Sequence, residues 1–215
     1  MANDDPKNAI RAQALAVGFD GVGFARPELG GAARAELADF LAAGHHGDMD
    51  WLARHQDRRG DPRTLWPETG TVIVVGLNYG PGAGGEDPDP LAPLASPERG
   101  CISAYARNRD YHDVAKKRLK QLGRWLIETH GGDIKVFVDT APVMEKPLAQ
   151  QAGLVWQGKH TNGVSRGFGS WLFLGELFTT VELPPDDAEG DYCGSCRRCL
   201  DVCPTDAFEG PYRLD

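Results

Sequence analysis

Residues 71–79 read TVIVVGLNY, an uninterrupted apolar run opening with five residues of which four are Val or Ile, bounded by Gly70 and Gly80. Branched β-carbons crowd a helix but pack well on a pleated surface, so this run predicts a strand buried on both faces. A buried strand needs paired neighbours and covered faces, and the flanking sequence offers both. DIKVFVDT (133–140) predicts a second buried strand, GVGFA (21–25) a short one, and 171–182 a final strand pair. Helical spacing appears over 7–17, with Ile10, Ala14, Leu15 and Val17 on one side, and over 32–43, which Gly44 ends. A stronger helix covers 111–129: Ala115, Leu119, Leu122 and Leu126 form its apolar stripe, Lys117, Lys120 and Arg124 share another face, and Gly131 and Gly132 stop it. A fourth helix is expected over 143–152, before Gly153.

The remainder reads as connection. HHGDMDWLARHQDRRGDP (45–62) is polar and irregular, closed by Pro62. Residues 80–100 are expected to be loop, with five prolines and four glycines between Gly80 and Pro97. ELPPDDAEGDY (182–192) is rich in acids and prolines, which places a linker at 184–191 between a layered α+β domain (1–183) and a small C-terminal module (192–215). Neither G-x-G-x-x-G at a strand-to-helix junction nor G-x-x-x-x-G-K-[ST] is present, so dinucleotide-binding and P-loop readings have no support.

The 215 residues are 41% apolar and 25% charged, which suits one or two packed domains. No apolar run approaches the roughly 18 residues of a membrane span, and MANDDPKNAIRAQ carries acids where an export signal would carry bases. A cytoplasmic protein with no membrane contact is expected. The net charge of −8 argues against a global electrostatic grip on nucleic acid. Locally the balance reverses, with seven basic residues against Asp110 and Asp113 between Arg107 and Arg124. A solvated helix face and a phosphate-binding patch both satisfy that pattern.

Cys193, Cys196, Cys199 and Cys203, with Pro204, follow C-x2-C-x2-C-x3-C-P, the run that bacterial ferredoxins use for [4Fe–4S] clusters. Two-residue gaps let three thiolates converge on one cluster from a single loop, while the fourth, expected at the start of the next helix, serves a second cluster. Zinc sites instead pair two C-x2-C knuckles across a longer span. The array therefore leaves a deficit of ligands for the second cluster and predicts either the N-terminal part of a longer protein or a truncated product. Cys101, remote from the array, reads as a small core residue. Asp139 ends a buried strand, where a carboxylate either caps the following turn or is desolvated for a purpose. GKHTNGVSRGFGS (158–170) is either a flexible surface loop or a cradle whose glycines admit a flat ligand. His45 and His46 read as solvent-exposed.

The cysteine array, with VFVDTAPVMEKPLAQQAGLVWQGKHTN (136–162) and YARNRDYHDV (105–114), resembles the epoxyqueuosine reductase family over essentially the whole chain. The resemblance implies a nitroreductase-like, reductive-dehalogenase-like cobalamin-binding domain followed by the start of a ferredoxin-like 4Fe-4S module. It implies reduction of epoxyqueuosine to queuosine at the wobble position of tRNA, with cobalamin and two [4Fe–4S] clusters as cofactors, in a monomer served by an external electron donor. Asp139 matches the family's proton donor. Arg59, Tyr105, Arg107 and His112 match positions around the cobalamin, and Lys159, His160, Thr161, Ser165 and Ser170 belong to the loop expected against it. Two other classes stay open: a corrinoid reductase of a small molecule, whose members usually carry an export signal, and a non-catalytic electron-transfer or cobalamin-trafficking protein.

Overall fold

The computed structural model describes residues 5–80, 89 and 92–215. In chain order the elements are α1 (Pro6–Ala16), β1 (Gly21–Ala25), α2 (Gly31–Ala42), α3 (Trp51–Arg54), α4 (Gln56–Gly60), α5 (Pro62–Leu65) and β2 (Thr71–Asn78). After the 3-10 turns Ala92–Ala95 and Ala104–Ala106 come α6 (Tyr111–His130), β3 (Ile134–Phe137), α7 (Glu145–Gln151), β4 (Trp156–Gln157), β5 (Gly163–Val164) and β6 (Leu172–Thr179). The chain closes with α8 (Arg198–Asp201), β7 (Phe208–Gly210) and β8 (Arg213–Leu214).

A four-stranded sheet in the order β1-β2-β6-β3 is the centre of an α+β fold, every adjacent pair antiparallel. TVIVVGLNY forms β2 and the residue after it, and Val72 to Val75 are buried. Alternate strand positions feed two cores. Ile73, Val75 and Leu177 meet Ile10 and Ala14 of α1 and the stripe Ala115, Leu119, Leu122 and Leu126 of α6. Val72, Val74 and Phe178 meet Leu148 and Ala149 of α7, with Leu29 and Trp66. Helices therefore cover both faces, which is why β2 reads as a continuous rather than an alternating run.

Several expectations are corrected. Residues 45–62 hold α3, α4 and the start of α5, the last begun by Pro62 with Asp61 Oδ1 accepting the Arg63 amide at 2.9 Å. The strand pair expected over 171–182 is one strand: Gly175, its one glycine, stays in register opposite Val75 instead of turning. β3 stops at Phe137, so Asp139 lies beyond the sheet on an exposed loop. Cys101 is exposed, not core. His45 and His46 are half-buried, and His45 Nε2 lies 3.5 Å from Glu209 Oε2. The expected 80–100 loop falls partly outside the described residues; its described part contains the Ala92–Ala95 turn.

Residues 184–191 contain no helix or strand, yet they are pinned along the first layer. Asp186 accepts from Lys7 Nζ and Arg11 Nη2, both at 2.5 Å, and from the Phe24 amide at 3.0 Å, while the Glu189 amide donates to the Gln150 carbonyl at 2.9 Å. Burial pushes the Asp186 carboxyl up, but these donors outweigh it and hold the group below its ordinary value.

Candidate active site

Antiparallel pairing on both sides of β6 brings the C-terminal ends of β2 and β3 to the end of the sheet where β6 begins. The glycine-rich loop enters there, and α6 starts there. An aromatic row marks the junction: Tyr79 stacks on Phe173 (4.2 Å between centroids), Phe173 on Tyr111 (3.9 Å, nearly parallel), and Tyr111 on His112 (4.0 Å). The row ends at Asp139, whose Oδ2 accepts from the Tyr111 hydroxyl at 2.6 Å and lies 3.4 Å from His112 Nε2.

Each partner is held by local chemistry. Asp110 caps α6 by accepting the His112 amide at 2.9 Å, and the same oxygen pairs with His112 Nδ1 at 2.7 Å. Burial pulls the His112 imidazole down, but Asp110 and Asp139 together carry it above its ordinary value. Burial, reinforced by the Asp139 carboxylate, lifts the Tyr111 phenol well above its usual range, so Tyr111 remains a donor at neutral pH. Asp139 itself is 60% exposed and has φ +55°, a left-handed backbone that few residues other than glycine adopt. Its amide is fixed by Glu145, whose Oε1 accepts it at 2.6 Å.

Beneath this loop lies a second acid. Glu176, fully buried on β6, faces Glu145, and neither of its oxygens receives a hydrogen bond from a fixed donor. Burial pushes both carboxyls up; Glu145 raises Glu176 further, while for Glu145 the added push comes from the Asp139 charge and a hydrogen bond with Glu176 works against it. Burial also lowers the neighbouring Lys146, whose Nζ donates to the Thr161 carbonyl at 2.8 Å.

The glycine-rich segment is ordered rather than free: β4 pairs with β5, and Ser165 and Gly169 exchange both backbone hydrogen bonds. His160 Nδ1 accepts the Asn162 amide at 3.1 Å and its Nε2 lies 3.4 Å from Ser170 Oγ. Thr161 has φ +66°, and Ser165 is buried. Lys159 reaches the cysteine loop, donating to the carbonyls of Gly194 at 2.6 Å and Cys196 at 2.9 Å. Of the remaining expected residues, Tyr105 is exposed on its turn, and Arg107 Nε donates to the Ile102 carbonyl at 3.0 Å, tied to its own turn rather than to Asp139. Arg59 is buried over the Trp51 ring at 4.9 Å, with Nε unpaired. His112 and Asp139 are brought together; Tyr105 and Arg107 are not joined to them. Tyr111, Glu145, Lys146 and Glu176 escaped the sequence reading.

The four thiols are exposed to half-buried along 193–203, and among the described residues no three metal-binding side chains converge. The short helix α8 carries Cys199 and ends before Cys203, which sits in the following turn rather than at a helix start. The Cys203 thiol is held below its ordinary value by Thr205 and neighbouring amides. On the outer face of α6, Lys116, Lys117, Lys120 and Arg124 line a groove of about 380 Å³ with Asp113. No helix among the described residues is long and apolar enough to cross a membrane.

The family profile described as "Epoxyqueuosine reductase QueG, DUF1730" matches residues 59–140. An epoxyqueuosine reductase of Pseudomonas aeruginosa is 47% identical over 201 residues, 93% of this chain and 54% of that protein. A crystal structure of epoxyqueuosine reductase with an epoxyqueuosine-modified tRNA-Tyr stem loop superposes with a TM-score of 0.82 at 27% identity, over 97% of this chain and 54% of that one. A Bacillus subtilis epoxyqueuosine reductase, described with an aspartate-bearing catalytic loop swung out of its active site, superposes at 0.79 and 26% identity, over 97% and 54%. The catabolic reductive dehalogenase NpRdhA shares the fold at a TM-score of 0.50 and 18% identity, over 93% of this chain and 23% of that one. The chain spans about half the length of the curated relatives it matches. By its sequence and its fold, it belongs to the epoxyqueuosine reductase family.

Proposed function

We propose that this chain forms the proton-donating and cofactor-facing part of a cytoplasmic, monomeric enzyme that reduces epoxyqueuosine in tRNA to queuosine. The carrying observation is the Asp139 carboxyl group, presented on an exposed loop at the end of the sheet with Tyr111, His112 and Glu145 fixing its position. Reduction of an epoxide to an alkene consumes two electrons and two protons and releases the oxygen as water. Asp139 is placed to hand a proton to that departing oxygen, and the Tyr111 hydroxyl and His112 ring keep its carboxyl oriented.

The residues present fit the cofactors of the family. The aromatic row, the glycine-bearing loop at 158–170 and the unpaired guanidinium nitrogen of Arg59 supply a flat wall, close backbone approach and a free donor for a large polar macrocycle such as cobalamin. Lys159, His160, Thr161, Ser165 and Ser170 lie on that loop; Tyr105 and Arg107 lie on the turn before α6, and His112 at the start of α6. The donor set Cys193, Cys196, Cys199 and Cys203 suits [4Fe–4S] ligation, three thiols to one cluster and Cys203 to a second. When bound, cobalamin and the clusters supply the electrons, which reach them from an external donor protein. Residues 1–183 then serve as a nitroreductase-like cobalamin-binding domain, 184–191 as its connection, and 192–215 as the start of a ferredoxin-like module.

Asp139→Asn tests the reading. It keeps the side chain's size but removes its proton, so conversion of epoxyqueuosine tRNA by the full-length reconstituted enzyme should fall at least a hundredfold while tRNA and cobalamin binding persist. Retained turnover in D139N would sink the assignment.

A further inference from the structure

Glu176 is out of place by the ordinary rules of burial. It occupies β6 between Val74 of β2 and Phe137 of β3, is 0% exposed, and neither oxygen receives a hydrogen bond from a fixed donor. The polar group that meets it is the carboxyl of Glu145. Two ionised carboxylates cannot share so dry a contact, whereas one proton between them turns repulsion into an O–H···O bond. The charges around the pair do not replace that proton. Lys146, next to Glu145 on α7, directs its ammonium to the Thr161 carbonyl; Arg59 acts on Glu145 from α4 without a hydrogen bond; and Asp139, on the loop above, adds negative charge. Tyr111 faces Asp139.

Glu145 has a second task, since its Oε1 accepts the amide of Asp139 and holds a backbone in the left-handed region. We propose that Glu145 and Glu176 share one proton, and that this proton keeps Glu145 seated under the Asp139 loop, making the pair a positioning device for Asp139. The proposal deepens the reading above and rests on it for the importance of Asp139. Glu176 is locked in the central sheet, so loss of the shared proton drives Glu145 outward, strips the Asp139 amide of its acceptor and releases the loop. The upward push that burial gives both carboxyls agrees with a proton retained at neutral pH.

Two measurements on the 215-residue chain as purified test this without turnover. Infrared spectroscopy should show a protonated-carboxyl C=O stretch at neutral pH that shifts in D2O and fades at alkaline pH. Amide hydrogen exchange, corrected for its intrinsic pH dependence, should show the protection of residues 138–144 falling severalfold over the same range. In Glu176→Gln the side-chain amide donates to Glu145 without titrating, so the band should vanish and the loop protection become independent of pH. A wild-type chain with no such band, or with loop protection that does not follow it, overturns the proposal even if the variant does not fold; so does a band that survives in E176Q. Failure of the reductase reading would leave both signals untouched.

Discussion

The Lys159 ammonium donates to the carbonyl of Cys196 at 2.9 Å and to that of Gly194 at 2.6 Å, bridging the glycine-rich loop of the layered domain to the cysteine loop. This contact fixes the first three thiols relative to the sheet end that carries Asp139. Lys159→Met keeps the stem and removes the donors. Alkylation of the thiols at 193–199 in the reduced, cluster-free chain should then accelerate by about three- to tenfold, equivalent to about 1 kcal/mol of lost restraint on the loop. Mass-spectrometric labelling rates check this, with Cys101 as the internal control that should not change.

Tyr111→Phe removes the 2.6 Å hydrogen bond to Asp139 but keeps the stack on Phe173. The cost of such a bond to a charged acceptor is about 1.5–3 kcal/mol when buried, and the exposure of Asp139 reduces it. We expect kcat to fall by roughly tenfold with KM little changed, and the measurement is single-turnover conversion of epoxyqueuosine tRNA.

Charge reversal of Lys117, Lys120 and Arg124 together targets the groove on α6. If these side chains contact tRNA phosphates, binding should weaken and the slope of log K against log salt should flatten by roughly two to three. Unaltered binding and slope would assign the strip to ordinary solvated surface.

The buried acid pair predicts the pH dependence of stability. Both carboxyls are raised in the folded state above the unfolded glutamate value of about 4.3, so the native protein binds more protons than the unfolded chain above that value. The pair's own contribution to stability is full below the unfolded value and declines as pH rises through the elevated folded ones. Glu176→Gln should remove most of this slope and add about 1–3 kcal/mol at alkaline pH, read from urea unfolding at several pH values.

Gly23→Ala probes the packing of α7 on β1. A β-carbon at residue 23 would lie 2.1 Å from the Ala152 carbonyl oxygen, which is backbone and has no rotamer to change. The expected loss is about 3 kcal/mol or more, at the upper end for overpacking, and thermal unfolding measures it.

The parts of this structure that could be read from the chain are those set by local periodicity or by a fixed spacing. Ala115, Leu119, Leu122 and Leu126 recur at the helical period and all turn inward; the branched run 72–75 is the central strand. The contacts that build the site cross long stretches of chain and leave no such trace. Tyr111 meets Asp139 across 28 positions, and nothing in YHD distinguishes the residue that binds from the one that stacks. Glu176 did carry a signal, a lone charge inside WLFLGELFTT, but its meaning depends on β6 being sandwiched between β2 and β3. Three short helices in 45–65 were hidden because single turns bury too few residues to impose a period.

The position of β6 has a consequence for biosynthesis. The strand at the middle of the sheet is the last of its four to leave the ribosome, and the Asp186 clamp that ties the chain back to Lys7 and Arg11 follows it. Until residue 179 has emerged, β2 and β3 cannot be bridged, and both present unpaired edges beside apolar faces. Closure of the sheet is thus a late, long-range event, and the nascent chain up to about residue 170 is the species most dependent on chaperones.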